Sequence, residues 1–213
     1  MATFLNGILG GFSGKVGTVI GSNWNGIDYM RSRAANITQP NTQAQLAQRA
    51  KFSMVGKFLR PLIPFLRVGY KSRAVKQSAY NAALAYTLEN AVTGAYPTFD
   101  IDYTKVLVCQ GTLLGAQNPT ADSTAAGKID FTWDDNSTDF GAEATDKVVV
   151  VVYCPLLNKF APVIGTATRS QGALSMTLPG IFSGQEVQTY LGFCNADQSE
   201  FSNGEFLTEV VVA

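Results

Sequence analysis

The chain has 213 residues, of which 46% are hydrophobic and 15% are charged, and its formal net charge is zero. This composition excludes an intrinsically disordered chain, which combines low hydrophobicity with high net charge. The sequence contains no histidine, which excludes His-based catalysis and His-ligated metals.

The charges are divided unevenly between the two halves of the chain. Residues 1–100 carry 11 Lys/Arg and 3 Asp/Glu, a balance of +8, whereas residues 101–213 carry 5 and 13, a balance of −8. The basic half can meet nucleic acid, the acidic half of its own chain, or the acidic half of another copy. The last interpretation is favoured because the Lys and Arg residues are spread at helical intervals and form no basic arm.

The first predicted element is a β-hairpin over residues 15–34 that turns at Asn25-Gly26. Both turn residues accept the positive φ angles of a type I′ turn. Because a two-stranded hairpin is marginal in water, it is expected to lie against a helix or against the sheet of another subunit. The glycine-rich, apolar residues 1–13 predict an arm that becomes ordered on contact with a neighbour. The expected packing residues of the hairpin are Val16, Val19, Trp24, Ile27 and Tyr29.

Two helices are predicted next. Pro40 ends a linker, and Asn41 or Thr42 is placed to cap the first helix. Its apolar stripe is formed by Leu46, Ala50, Met54, Phe58 and Leu62. Pro61 and Pro64 break or kink this helix, and a second helix is predicted from about Val75 to Val92 with Gly94 as its left-handed C-terminal cap.

Short strands separated by turns are predicted after residue 100. They lie near residues 105–110, 128–133, 147–154, 160–167, 173–178, 186–195 and 205–212. Seven strands at this spacing indicate a β-sandwich, and the continuous apolar run at 148–153 predicts a central strand that is covered on both faces. The predicted fold class is α+β, with a hairpin-and-helix assembly domain at residues 1–100 and a sandwich domain at residues 101–213.

The segments GKIDFTW, DKVVVVVYCP and GQEVQTYLGF resemble a fibronectin type III or immunoglobulin-like module. The resemblance places Trp133 as a core residue of the second strand and Tyr190 near the start of the sixth strand. It implies a sandwich fold and no particular function, because such sandwiches serve many roles.

A second resemblance covers essentially the whole chain. The segments FSGKVGTVIGSNWNGIDYMRSR, PNTQAQLAQRAKF and AYNAALAYTLENAVTGAYP are similar to a family of bacterial proteins known only as a domain of unknown function. The glycine-rich strand followed by a Gln- and Arg-containing helix also resembles pieces of phage virion proteins. Neither resemblance implies an activity, a catalytic residue or a cofactor.

The three cysteines, Cys109, Cys154 and Cys194, are an odd number without metal-ligand spacing. Buried free thiols are the favoured interpretation, with a Cys154–Cys194 disulfide as the alternative. The N-terminus does not match a secretory signal, and no apolar run reaches the roughly 20 residues of a membrane span. Synthesis in the cytoplasm is therefore expected, with a virion or an extracellular assembly as the final location.

Two groups of carboxylates are candidate sites. An acidic loop contains Asp134, Asp135, Asp139, Glu143 and Asp146, which suit calcium chemically but lack the EF-hand spacing, so a solvated loop is favoured. Asp100 and Asp102 flank Ile101 as a carboxylate pair for acid–base chemistry would, but nothing in the sequence supplies a partner. No catalytic, cofactor-binding or metal-binding residue is predicted.

These observations predict a non-enzymatic structural protein of a self-assembling particle or filament, with the sandwich displayed outward. A homo-oligomer or a larger protein assembly is the expected partner, and nucleic acid is disfavoured because no known nucleic-acid module fits the spacing. The alternative is a monomeric binding module for a glycan or surface ligand, built on the loops around Trp133–Phe140 and Gly180–Gly184. The residues predicted to form the assembly surface are Trp24, Tyr29, Arg31, Arg33, Arg49 and Arg60.

Overall fold

The computed structural model of the protein describes residues 3–4, 10–24, 26–34 and 42–213. The chain divides into two compact units, residues 1–43 and residues 44–213. Three residues for which the sequence predicts a turn or a helix start, Asn25, Pro40 and Asn41, lie outside the described residues.

The N-terminal unit is a four-stranded antiparallel sheet in which each strand pairs with the next along the chain. Its strands are β1 (Thr3–Phe4), β2 (Phe12–Val16), β3 (Val19–Trp24) and β4 (Ile27–Ser32). The predicted hairpin is present as β3 and β4, where Trp24 pairs with Ile27 and Gly26 has a φ of +78°.

The predicted arm at residues 1–13 is wrong where it is described, because part of it forms β1 and β2. Gly21, a glycine within β3, allows β3 to lie close to β2, the strand that contains Phe12. A Cβ at Gly21 would collide with the carbonyl oxygen and the ring of Phe12 on the neighbouring strand. The glycine therefore makes room for Phe12 to lie across the sheet.

The second unit begins with a helical layer. Its helices are α1 (Gln43–Leu59), α2 (Ile63–Gly69) and α3 (Ala79–Asn90), and a 3₁₀ turn at Arg60–Leu62 joins the first two. Pro61 and Pro64 lie in the first turn of their segments, where a missing N–H costs no helical hydrogen bond. The predicted cap at Gly94 is wrong, because α3 ends at Asn90 with Ala91 as its C-cap, and Gly94 belongs to the hairpin that follows.

A hairpin and a seven-stranded sandwich complete the unit. The hairpin strands are β5 (Val92–Ala95) and β6 (Thr98–Ile101), and the sandwich strands are β7 (Gln117–Asp122), β8 (Lys128–Asp134), β9 (Lys147–Cys154), β10 (Lys159–Thr168), β11 (Ala173–Thr177), β12 (Glu186–Cys194) and β13 (Glu205–Val211). The sandwich sheets have the orders β10-β9-β12-β13 and β11-β8-β7, with antiparallel neighbours throughout. The predicted α+β class with a fibronectin III-like sandwich is confirmed.

The predicted strand at residues 105–110 is wrong. Val106 to Cys109 are buried, but the segment joins no sheet. Its backbone is satisfied by single bonds, such as those from Val108 N to the Gly204 carbonyl and from Gln110 N to the Gly69 carbonyl. The first strand of the sandwich is instead β7, which was not predicted from the sequence.

The core lies on both sides of the sheet that contains β9. Val148, Val150 and Val152 pack into the core between the two sheets, whereas Val149 and Val151 pack with the helices. The predicted central strand with two covered faces is thus confirmed. Because α1 to α3 share a core with this sheet, the compact unit begins at residue 44, which differs from the predicted domain boundary at residue 100.

All three cysteines are buried and free, as the favoured interpretation predicted. Cys154 packs in the core between the sheets and Cys194 packs on the helical side. Cys194 pairs in register with Lys147, seven residues from Cys154, so the two cysteines lie about 23 Å apart along the sheet. A disulfide requires Cα atoms within about 7 Å, which excludes the Cys154–Cys194 pair.

We expect the three thiols to be unreactive in the folded protein. Burial raises the pKa of Cys109 above its usual range and raises that of Cys194 to about 11, so neither forms thiolate near neutral pH. Ellman's reagent at pH 8 should therefore titrate no thiol in buffer and three in denaturant. Rapid modification of any cysteine in buffer would contradict this core assignment.

Candidate functional site

Four of the six predicted assembly residues lie on one face of the N-terminal sheet. Trp24 pairs with Ile27, and successive residues along a strand point to opposite faces, so Tyr29, Arg31 and the following Arg33 continue on the side of Ile27. Ile20 pairs with Arg31 and with Lys15, so Ile20 and Lys15 lie on this side as well. We call this surface, Lys15, Ile20, Trp24, Ile27, Tyr29, Arg31 and Arg33, the basic face.

The basic face combines exposed apolar side chains with positive charge. Trp24 is 54% exposed, and Ile27 and Tyr29 are exposed to a similar extent. Its three basic residues have no acidic residue beside them on this face. Asp28, the one carboxylate in the described part of the unit, lies on the opposite face and accepts a hydrogen bond from Asn23 Nδ2 at 2.7 Å.

The opposite face of the same sheet is also uncovered. Val16, Val19 and Met30 are exposed, Met30 to 71%. Among the residues of the unit whose burial is described, only Gly21 is buried. A sheet of this size normally depends on burial of at least one apolar face.

The other two predicted residues, Arg49 and Arg60, lie in the second unit. Arg49 is on α1, and Arg60 follows the helix about three turns later on the same exposed side. Arg60 lines a shallow cleft with Phe52, Lys57 and Tyr80, in which Phe52 is exposed. The prediction of an assembly surface at all six residues remains a prediction, with four of the six in the first unit and two in the second.

The acidic residues of the sandwich collect at one end. The loop from β8 to β9 and the loop from β12 to β13 meet there, because Lys147 at the start of β9 pairs with Cys194 at the end of β12. We call this region the acidic end. Its exposed carboxylates are those of Asp134, Asp135, Asp139, Glu143, Asp197, Glu200 and Glu205.

The acidic end also carries apolar groups. Phe140 in the loop between β8 and β9 is fully exposed, and Leu114 is partly exposed nearby. A cleft of about 470 Å³ is lined by Leu113, Glu143, Asp197 and Glu200, together with neighbouring backbone. The end thus presents an exposed ring and a cleft surrounded by negative charge.

Some loop carboxylates already have partners within the chain. Asp135 accepts a hydrogen bond from Ser137 N at 3.0 Å, and the hydrogen bonds from Ser137 hold the pKa of this carboxyl below its usual value. Asp134 accepts one from Asn118 Nδ2 at 2.8 Å. In the part of the chain that the structure describes, no three His, Cys, Asp or Glu side chains are arranged to hold a metal ion.

Asp146 in the same loop is buried and forms an ion pair with Arg169, a side chain that is 0% exposed. The Arg169 guanidinium also donates to the carbonyls of Leu114 and Gly115 and to Asn136 Oδ1, and it lies 4.0 Å from the centre of the Phe193 ring. Burial lowers the pKa of Arg169, and the Asp146 carboxylate opposes that shift. This arginine therefore holds the loop between β8 and β9 against the segment that precedes β7.

The buried ion pair of Arg169 was not predicted from the sequence, although the positions of Asp146 and Arg169 contain one indication of it. Lys147 pairs with Thr168 across β9 and β10, so Asp146, just before β9, lies opposite Arg169, just after β10. Opposite charges at facing positions of an antiparallel pair predict a salt bridge once the register is known. The bulge between Ile164 and Thr168 shifts the pairing of β9 with β10, so the sequence alone does not show that these residues face each other.

The predicted carboxylate pair has local structural partners. Asp100 Oδ1 accepts a hydrogen bond from Ile101 N at 2.8 Å. Asp102 begins a 3₁₀ turn, where a side-chain hydrogen bond from Thr104 lowers its pKa, and it forms an ion pair with Lys105 at 3.0 Å. Both carboxylates thus organise the turn that links β6 to the sandwich.

The two loops proposed for a ligand lie at opposite ends of the sandwich. The loop after Trp133 follows the end of β8, whereas the loop at Gly180–Gly184 follows β11, whose Thr177 pairs with Lys128 at the start of β8. Trp133 itself is buried, and its indole Nε1 donates to the Arg169 carbonyl at 2.7 Å. A single ligand site cannot use both loops, and Trp133 belongs to the core as the resemblance implied.

Most of the chain matches a known protein family. The family described as a family of unknown function, DUF6266, matches residues 11–208. The chain belongs to the DUF6266 family. No curated protein matches it. In the described parts of this DUF6266 chain, no helix is both long enough and apolar enough to cross a membrane.

Solved structures similar to part of this DUF6266 chain are fibronectin type III domains. The fn3 domain of the human collagen alpha-1(XX) chain is 9% identical, with a TM-score of 0.36 over 47% of this chain and 87% of that chain. The chicken CNTN1 FN1-FN3 domains are 9% identical, with a TM-score of 0.38 over 49% and 35%. The fn3 domain of human contactin 1 is 11% identical, with a TM-score of 0.33 over 49% and 82%.

Proposed function

We propose that this DUF6266 protein is a non-enzymatic structural component of a self-assembling particle or filament, of the kind found in phage virions. The N-terminal sheet joins the copies, and the sandwich is displayed outward. The observation that carries the proposal is the basic face, where Trp24, Ile27 and Tyr29 are exposed beside three cations.

The energetic argument is that the apolar side chains whose burial is described in this sheet are not buried. Burial of apolar surface contributes about 25 cal/mol per Å², and this is the term that stabilises a small sheet. Val16, Val19, Trp24, Ile27, Tyr29 and Met30 are all exposed. An external surface that covers the basic face would bury the exposed apolar side chains of that face.

The proposal predicts that charge reversal on the basic face weakens assembly. The double variant Arg31→Glu and Arg33→Glu should raise the apparent dissociation constant of the oligomer about tenfold or more, because it places carboxylates where the face is otherwise purely basic. Sedimentation velocity over a concentration series measures this constant.

The matched control is Lys128→Glu and Lys159→Glu, which changes the net charge equally at exposed positions of the sandwich. It should assemble as the unmodified protein does. Equal weakening by both double variants would mean that net charge alone governs association, and unchanged assembly of the Arg31/Arg33 variant would remove the basic face from the proposal.

The alternative function is a monomeric binding or adhesion module for a glycan or surface ligand. The observation that favours it is an open cleft of about 510 Å³ lined by Phe58, Tyr103 and Tyr153 together with Asp100 and Asn158. Of these rings Tyr103 is partly exposed, whereas Phe58 and Tyr153 are buried behind it. A partly exposed ring beside a carboxylate and an amide suits a sugar ring. Retention of a monomeric protein on a glycan array, lost in a Tyr103→Ala variant, would support this alternative over assembly.

A further inference from the structure

We propose that the basic face of one copy docks on the acidic end of the sandwich of a second copy, so that copies join head to tail. This inference rests on the proposed self-assembly and names the surface that receives the sheet. Both surfaces are defined by described residues, and each one presents exposed apolar groups surrounded by charge of a single dominant sign.

Charge complementarity is the first argument. The basic face carries Lys15, Arg31 and Arg33 with no carboxylate among its residues. The acidic end carries seven exposed carboxylates. Its two cations are Arg169, which is buried and paired with Asp146, and Lys147, whose Nζ donates to the Ala196 carbonyl at 2.6 Å. Unlike potentials of this kind steer association and fix its orientation.

Apolar complementarity is the second argument. Trp24, Ile27 and Tyr29 form an exposed apolar row on the sheet. The acidic end offers the exposed ring of Phe140 and the cleft of about 470 Å³ lined in part by Leu113. An aromatic side chain seated in a desolvated pocket with charges at the rim is the usual arrangement of an interface hot spot.

Like charge disfavours the symmetric alternative. In a two-fold dimer through the basic face, the same patch would meet itself and bring six cations together without a carboxylate between them. Contact between two different surfaces avoids this repulsion and leaves one free surface of each kind on every open complex. Such contacts generate rings or open filaments.

The test is a charge swap in the 213-residue chain. Lys15→Glu, Arg31→Glu and Arg33→Glu reverse the basic face. Asp139→Lys, Glu143→Lys and Glu200→Lys place three cations beside Phe140 and around the cleft, which changes the summed charge of the seven exposed carboxylate positions from −7 to −1. Each triple variant alone should raise the apparent dissociation constant about tenfold or more. The chain that carries both sets should recover part of the assembly, because three new lysines around the cleft then face three new carboxylates on the sheet.

The control chain combines the reversed basic face with Asp122→Lys, Glu186→Lys and Glu209→Lys. These carboxylates lie at the other end of the sandwich, on β7, β12 and β13. This chain has the same charge changes in number and sign, and it should remain dissociated. Circular dichroism establishes that each variant is folded before assembly is measured.

The possible results separate the inference from the function on which it rests. Undiminished assembly of the basic-face variant overturns both the docking and the proposed role of that face. If the basic-face variant loses assembly and the chain that carries both sets of changes does not recover it, the acidic end is not the docking surface. The proposed role of the basic face is then unaffected. Recovery in the control chain as well overturns the specific pairing, and complexes that form only with added nucleic acid overturn the second copy as the occupant.

Discussion

Replacement of Arg169 by methionine is expected to lower the free energy of unfolding by about 3–5 kcal/mol, because it leaves a buried carboxylate without its cation. The Arg169 guanidinium lies 3.1 Å from Asp146 Oδ2, and both side chains are removed from solvent. The variant also leaves the Leu114 carbonyl, 2.8 Å from the guanidinium, without that donor. Urea denaturation followed by circular dichroism measures the change.

Two further variants show whether the ion pair is the cause. Arg60→Met removes an exposed arginine and should change the free energy of unfolding by no more than about 0.5 kcal/mol. Arg169→Met combined with Asp146→Asn should cost less than the two single changes added together, because the second change removes the unpaired charge. A cost below about 1 kcal/mol for Arg169→Met would contradict the assigned burial.

Phe58→Ala on α1 is expected to destabilise the whole unit of residues 44–213 by about 3–5 kcal/mol. The Phe58 ring is 2% exposed and packs edge-on against Tyr153 of β9, with centroids 4.9 Å apart. Because the helices and the sheet share this contact, both should unfold in one transition at a lower urea concentration.

The measurement uses two probes in a Trp24→Phe background, in which Trp133 is the single tryptophan. Ellipticity at the helical wavelength reports α1 to α3, and fluorescence reports the sandwich core around Trp133. Phe52→Ala on the same helix is the control, because Phe52 is 46% exposed. Two separate transitions, or a shift of the helical signal alone, would support a domain boundary near residue 100 instead.

The parts of the fold that the sequence predicted well are those with strong local signals. The run at 148–153 has no polar interruption, and both faces of β9 are indeed covered. The Asn25-Gly26 dipeptide marked the hairpin between β3 and β4. In the basic face, the alternation of β4 brings Tyr29, Arg31 and Arg33 to one side, which follows from a period of two residues.

The elements that were not predicted correctly are those whose structure depends on tertiary partners. β7 contains Pro119 and a bulge beside Asn118, whose φ is +46°, and a strand with these features is tolerated at a sheet edge. Val106 to Cys109 have the apolar pattern of a strand, but burial beneath the helices produces the same pattern without a ladder. Arg169 gave no periodic signal, because its role depends on a register that no local pattern specifies.

Sedimentation velocity of the 213-residue chain across a concentration series, at about 0.01 M and about 1 M salt, tests self-assembly most directly. Between these conditions the Debye length falls from about 30 Å to about 3 Å, so attraction between the basic face and the acidic end is screened. We expect species larger than the monomer at low salt that dissociate at high salt. A single monomeric species at every concentration in both conditions would contradict self-assembly through these surfaces.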